Sequence, residues 1–169
     1  MSRLRHTLLG FLLFPGMPSL ADEAAEKTLP LVEQASGASY VRGVFGDGIE
    51  AELHVDTGSS YVALTRKTFR QLKDEDLVEY VRTIHGKTAA GRTMKVKVFS
   101  LSGLTLGDGC EMNDIEAVVL PGADRDILGL TALKQLGRFT LAFEPPALTY
   151  SACGAPAQDL LAAAPPDRD

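Results

Sequence analysis

The chain has 169 residues, 45% apolar and 23% charged, with 17 basic against 22 acidic side chains and a formal net charge of −5. That length suits one globular domain, and the composition is neither collagen-like nor disordered. The acid excess, with no Lys/Arg cluster, disfavours nucleic-acid binding, and no apolar run reaches the roughly 18 residues of a membrane span.

Taken in chain order, the N-terminus combines Arg3 and Arg5, an apolar stretch over Leu8–Phe14 and a small-x-small ending at Ser19, Leu20 and Ala21. This is the pattern of a secretory signal over residues 1–21, cut after Ala21. Pro15 and Pro18 after the short apolar run disfavour an uncleaved anchor, and no Cys follows the cut to carry a lipid. The expectation is an exported protein, periplasmic or secreted, with no stable membrane insertion. The mature 148 residues lose two arginines and no acid, leaving a net charge of −7.

Residues 22–36 are acidic and Ala-rich, interrupted by Pro30, and read as a flexible lead-in or one helical turn. A removable inhibitory segment and a plain linker both fit them. From Ser39 the pattern becomes β. Tyr40–Phe45 and Ile49–Val55 flank the turn signal Gly46-Asp47-Gly48, and the second run alternates: Ile49, Ala51, Leu53 and Val55 one way, Glu50, Glu52 and His54 the other. A short strand is predicted at Tyr61–Leu64, then a helix capped by Thr65 and running to about Leu72, with Phe69 and Leu72 on one face. Glu79–Ile84 and Thr93–Phe99 are predicted arms around a tip at His85–Gly91. Leu101–Leu106 and Met112–Leu120 form the next hairpin, around Gly107-Asp108-Gly109. Ile127–Leu130 leads into a helical stretch at Thr131–Leu136, and Phe139–Phe143 with Leu148–Ser151 closes the domain. The domain spans 37–152, followed by an Ala/Pro-rich tail over 153–169. Many short strands, two short helices and no internal repeat predict an all-β barrel or sandwich.

Two cysteines, Cys110 and Cys153, make one possible disulfide in an exported protein; half a zinc site and two buried free thiols are the other readings.

The segment that carries chemistry is Asp56-Thr57-Gly58-Ser59-Ser60, at the end of an alternating strand and just before an apolar one. Alone, Asp-Thr-Gly is ordinary turn chemistry. Here Ile127-Leu128-Gly129 follows, its glycine 73 residues beyond Asp56, with a glycine-flanked hairpin between. From Tyr40 to Tyr150 this constellation resembles the retropepsin-like aspartic proteases, including secreted bacterial members. The resemblance implies a closed β-barrel half-domain with one or two short helices, paired in a symmetric homodimer. It makes Asp56 catalytic, Thr57 a brace to the partner subunit, and Ile127, Leu128 and Gly129 the packing behind the catalytic loop, with Gly58 and Ser59 in that loop. It places a flap at about Val81–Val96, with Ile84, His85 and Gly86 over the substrate. Apolar residues at the cut are expected. No metal and no organic cofactor are implied.

The chemistry explains the homodimer. Peptide hydrolysis needs one carboxylate to activate water and a second, protonated, to donate to the carbonyl oxygen. Two carboxylates about 3 Å apart repel by roughly 5 kcal/mol at an effective dielectric near 20, so they share one proton. One chain supplies one Asp-Thr-Gly; two copies about a twofold axis supply the pair.

Two neighbours of Asp56 have two readings each. A Ser59 hydroxyl donating to the Asp56 carboxylate lowers the dyad pKa values; a Ser59 bonded to its own turn does not. His54, two residues before Asp56, shares its face and by the resemblance lines a substrate pocket; by alternation alone it continues the solvated Glu50–Glu52 face. A metal site of His54, Asp56 and His85 lacks a rigid third ligand. No Gly-x-Ser-x-Gly elbow, P-loop or dinucleotide fingerprint occurs. The leading expectation is an aspartic endopeptidase acting on extended protein or peptide segments. The alternatives are a non-catalytic peptide-binding or scaffolding domain of the same fold in the cell envelope, and a monomer inside a larger complex.

Overall fold

The computed structural model describes residues 26–87, 91 and 93–154. The export signal expected over 1–21, residues 88–90 of the expected flap tip and the tail beyond residue 154 lie outside them.

Thirteen strands and two short helices make up the described chain: β1 Lys27–Pro30, β2 Val32–Glu33, β3 Ser39–Phe45, β4 Ile49–Val55, β5 Val62–Leu64, α1 Arg66–Asp74, β6 Val78–Lys87, β7 Thr93–Leu101, β8 Leu104–Leu106, β9 Cys110–Met112, β10 Ile115–Val119, β11 Asp126–Leu128, α2 Leu130–Leu133, β12 Phe139–Phe143 and β13 Pro146–Tyr150. A 3₁₀ turn at Lys134–Leu136 continues α2. The main sheet runs β6-β7-β10-β5-β11-β4-β3-β8-β9, with β2 also on β3; a second sheet runs β1-β13-β12.

The alternation of β4 holds. Ile49, Ala51, Leu53 and Val55 join the main core, while Glu50 and Glu52 are exposed. Leu53, Val62, Leu64, Leu101, Leu128, Leu133 and Leu136 are fully buried in that core, each such side chain contributing about 1.5–3 kcal/mol. α1 begins where Thr65 caps it, its Oγ1 accepting from the Thr68 N–H at 3.2 Å, and it turns Leu72 inward with Phe69 half-buried against the core.

Four expectations need correcting. The closed barrel is an open sheet: closure requires the end strands to pair, and among the described residues β6 and β9 form no ladder with each other. β8 and β9 are three residues each, and the Cys110–Cys153 disulfide (Cα–Cα 5.5 Å) ties the start of β9 to the C-terminal segment instead. Residues 26–36, the described part of the lead-in expected over 22–36, are not merely a lead-in. Lys27–Pro30 pairs with β13 and Val32–Glu33 with β3, because Leu29 and Leu31 find places in the core, 5% and 8% exposed. Pro30 is tolerated since β1 is an edge strand. The single arm over Met112–Leu120 is broken at Asn113-Asp114, where Asp114 has φ 54°, so β9 pairs with β8 while β10 pairs with β7 and β5. Finally, β6 runs on through Lys87, so His85 and Gly86 lie within the strand, paired with Lys95 and Met94, and not at a tip.

Candidate active site

The site grows from one crossing of strands. β11 lies between β4 and β5, parallel to the first and antiparallel to the second. The chain leaving β4 must therefore loop around the end of β11 before re-entering as β5, and that loop is Asp56–Tyr61. The Asp56 N–H extends the β4 ladder by donating to the Leu128 carbonyl at 3.2 Å.

Within the loop the Gly58 N–H donates to Asp56 Oδ1 at 2.8 Å and the Ser59 N–H to the Asp56 carbonyl at 3.3 Å. A Cβ on Gly58 would stand 3.1 Å from that same carboxylate oxygen. The Asp56 carboxylate is half-buried, oriented by a backbone N–H and open to solvent; Thr57 and Gly58 are exposed beside it.

From beneath, the loop is held by the start of α2. The Leu130 N–H donates to the Ser59 carbonyl at 2.8 Å and the Thr131 N–H to the Ser60 carbonyl at 3.1 Å. Gly129 makes this approach possible: a Cβ there would lie 2.1 Å from the Tyr61 carbonyl oxygen and 2.8 Å from that of Ser59. Leu128 is buried in the main core, and Ile127 is half-buried in a smaller cluster with Ala63, Val98 and Val118. Ile84 of β6 packs on that smaller cluster too. Leu128 thus meets Asp56 through its carbonyl and Gly129 lies against the loop's carbonyls, while Ile127 faces the smaller cluster.

Ser59 is resolved in favour of its turn. Its Oγ donates to the Tyr61 carbonyl at 2.8 Å and not to the Asp56 carboxylate. His54 is half-buried, stacked on Tyr40 with ring centroids 5.2 Å apart, so it does not simply continue the exposed Glu50–Glu52 face. His85, exposed on β6, is five places along the sheet order from His54 on β4.

Sequence reasoning missed three groups. Thr131 Oγ1 accepts from the Val62 N–H at 3.0 Å and donates to the Glu116 carbonyl at 2.7 Å, bolting β5 to β10 beneath the loop. Asp126, 8% exposed, accepts from the Thr65 N–H and the Thr68 hydroxyl, both at 2.6 Å, joining β11 to the start of α1. Its signal was available: an acid directly before the apolar Ile127-Leu128 pair. Arg82 of β6 forms an ion pair with Glu116 of β10, and its Nη2 also donates to the Tyr61 hydroxyl at 3.4 Å. The arginine holds the Glu116 carboxyl below the usual carboxylate range. A cleft of about 680 Å³ bounded by Lys27, Leu29, Val41, Arg42, Asp108 and Tyr150 includes no residue of the Asp56 loop.

The chain is similar to known proteins. The solved structure of a retropepsin-like aspartic protease from Rickettsia conorii is similar at 27% identity and a TM-score of 0.55, over 76% of this chain and 92% of that one. An EIAV protease in complex with the inhibitor HBY-793 aligns at 20% identity and a TM-score of 0.41, over 66% of this chain and 99% of that one. No curated protein matches the chain in sequence. Residues 44–135, which span the Asp56 loop, the β6–β7 hairpin and Ile127-Leu128-Gly129, match the family described as "gag-polyprotein putative aspartyl protease". The chain belongs to this family of retropepsin-like aspartic proteases.

Proposed function

We propose that the protein is an exported aspartic endopeptidase in which Asp56 and the Asp56 of a second copy share one proton across a twofold axis. One carboxylate activates water while the other protonates the peptide carbonyl. The observation that carries this reading is the Asp56 loop itself: a carboxylate oriented by the Gly58 N–H, supported by Gly129 and Thr131, and singly present per chain. One such carboxylate is half of the acid–base pair. Thr57, exposed beside it, is free to meet the partner loop. The substrate lies extended beneath the β6–β7 hairpin, bonded through its backbone like an added strand.

Asp56→Asn lowers peptide cleavage by about 10²–10⁴-fold while leaving dimerisation intact, measured by peptide digestion beside analytical ultracentrifugation. Wild-type specific activity falls on dilution below the dimer dissociation constant. Full activity in a dilute monomer would overturn the shared dyad.

A further inference from the structure

The strand ladders align seven residues across the main sheet: Arg82, Val98, Val118, Ala63, Ile127, His54 and Tyr40, each paired with the next. Residues paired in register share a face. Asp56 stands on the same face, two positions beyond His54, with its N–H still on the ladder. The middle of this row is apolar, Val98 to Ile127. At the β4–β3 end it turns polar.

There His54 stacks on Tyr40, and the Tyr40 hydroxyl accepts from Arg125 Nη1 at 3.2 Å. Arg125 stands just before Asp126 at the start of β11, its side chain 44% exposed. Its Nε and Nη2 donate to Asp124 at 2.8 and 3.0 Å. A guanidinium carries five N–H donors, so two remain free. Tyr40 is 4% exposed, so its hydroxyl serves to position the guanidinium. The His54 side chain makes no hydrogen bond among the described residues. Asp124 is 74% exposed, and an ion pair so exposed is held weakly. The corner therefore presents a cationic donor beside His54, whose backbone lies about 6.5–7 Å (two strand residues) from that of Asp56.

We propose that the Tyr40–His54–Arg125 corner is a specificity site that selects substrates carrying an acidic side chain beside the scissile bond. The inference rests on the protease reading of Asp56. A carboxylate there accepts charge-assisted bonds from Arg125, which the buried Tyr40 hydroxyl holds in place; an apolar side chain dehydrates the guanidinium and leaves its free donors unpaired. The proposal also departs from the apolar preference expected by resemblance.

The test is digestion of a peptide library by the full exported chain, followed by kcat/KM for a matched pair of peptides with Glu or Leu beside the cut. Wild type prefers Glu by about 10-fold or more, and Arg125→Val and His54→Leu each bring the ratio down toward one. Thermal melts confirm that each variant is folded, and two variants on different strands guard against a local collapse at either. Cleavage with no Glu preference, or with a preference that survives both substitutions, overturns the specificity site and leaves the protease reading standing. No cleavage of any peptide, or cleavage that survives Asp56→Asn, overturns the protease reading and this inference with it.

Discussion

Gly129 is the residue at which the backbone has least freedom to change. Its Cβ position falls 2.1 Å from a backbone oxygen, which no side-chain rotation relieves. Gly129→Ala is expected to cost about 3 kcal/mol or more, read as a lowered denaturant midpoint with unchanged m-value. Ser59 is a milder case. Because its hydroxyl serves the Tyr61 carbonyl, Ser59→Ala should lower stability by about 1 kcal/mol and leave the acidic limb of the activity profile where it is. A limb moved to higher pH would mean that the hydroxyl turns to Asp56 in the working enzyme. The importance of Gly129 was legible in the sequence through Ile127-Leu128-Gly129, but its reason was not: the Tyr61 and Ser59 carbonyls reach it from a segment some 70 residues away.

At the scale of elements, the β6–β7 hairpin is the part whose attachment responds to pH. Arg82 reaches from β6 to Glu116 on β10 and depresses the Glu116 carboxyl. A depressed folded-state pKa contributes stability above the ordinary carboxylate value and loses it as pH falls through the depressed one. Arg82→Gln should therefore make the loss of stability between neutral and acidic pH shallower, as measured by urea melts across that range. Both side chains are part-exposed, 43% and 33%, so the effect is small; a variant with the same acid limb as wild type would show that the pair does not hold in solution. β1 and β2 carry a second consequence. Leu29 and Leu31 are core residues, so excising residues 27–33 as an inhibitory segment would strip the core and not merely open a cleft.

For the whole molecule, the Cys110–Cys153 bond spans 43 residues. It gathers the 3₁₀ turn, β12 and β13 onto the side of β9, where Cys110 is fully buried. Loop-closure entropy puts its contribution near 4 kcal/mol, with about 2–4 kcal/mol typical. The Cys110→Ser, Cys153→Ser double variant should lose that amount of unfolding free energy, and a variant equal to wild type would show that the small sheet docks without it. Among the described residues no helix is long and apolar enough to cross a membrane.

The sequence by itself determined the things that depend on neighbours along the chain. The alternation of β4, the Gly46–Gly48 turn, the Thr65 cap and the Asp56-Thr57-Gly58 loop are each set by local backbone preference and side-chain periodicity. Tertiary structure decided whatever depended on partners distant in sequence. Whether the sheet closed, whether Leu29 and Leu31 had a core to enter, which acceptor took the Ser59 proton and what His54 stacked upon were fixed by strand pairings across tens of residues. Hydrogen-bond donors and apolar side chains state a demand locally, but which group satisfies it is settled only when the chain has packed.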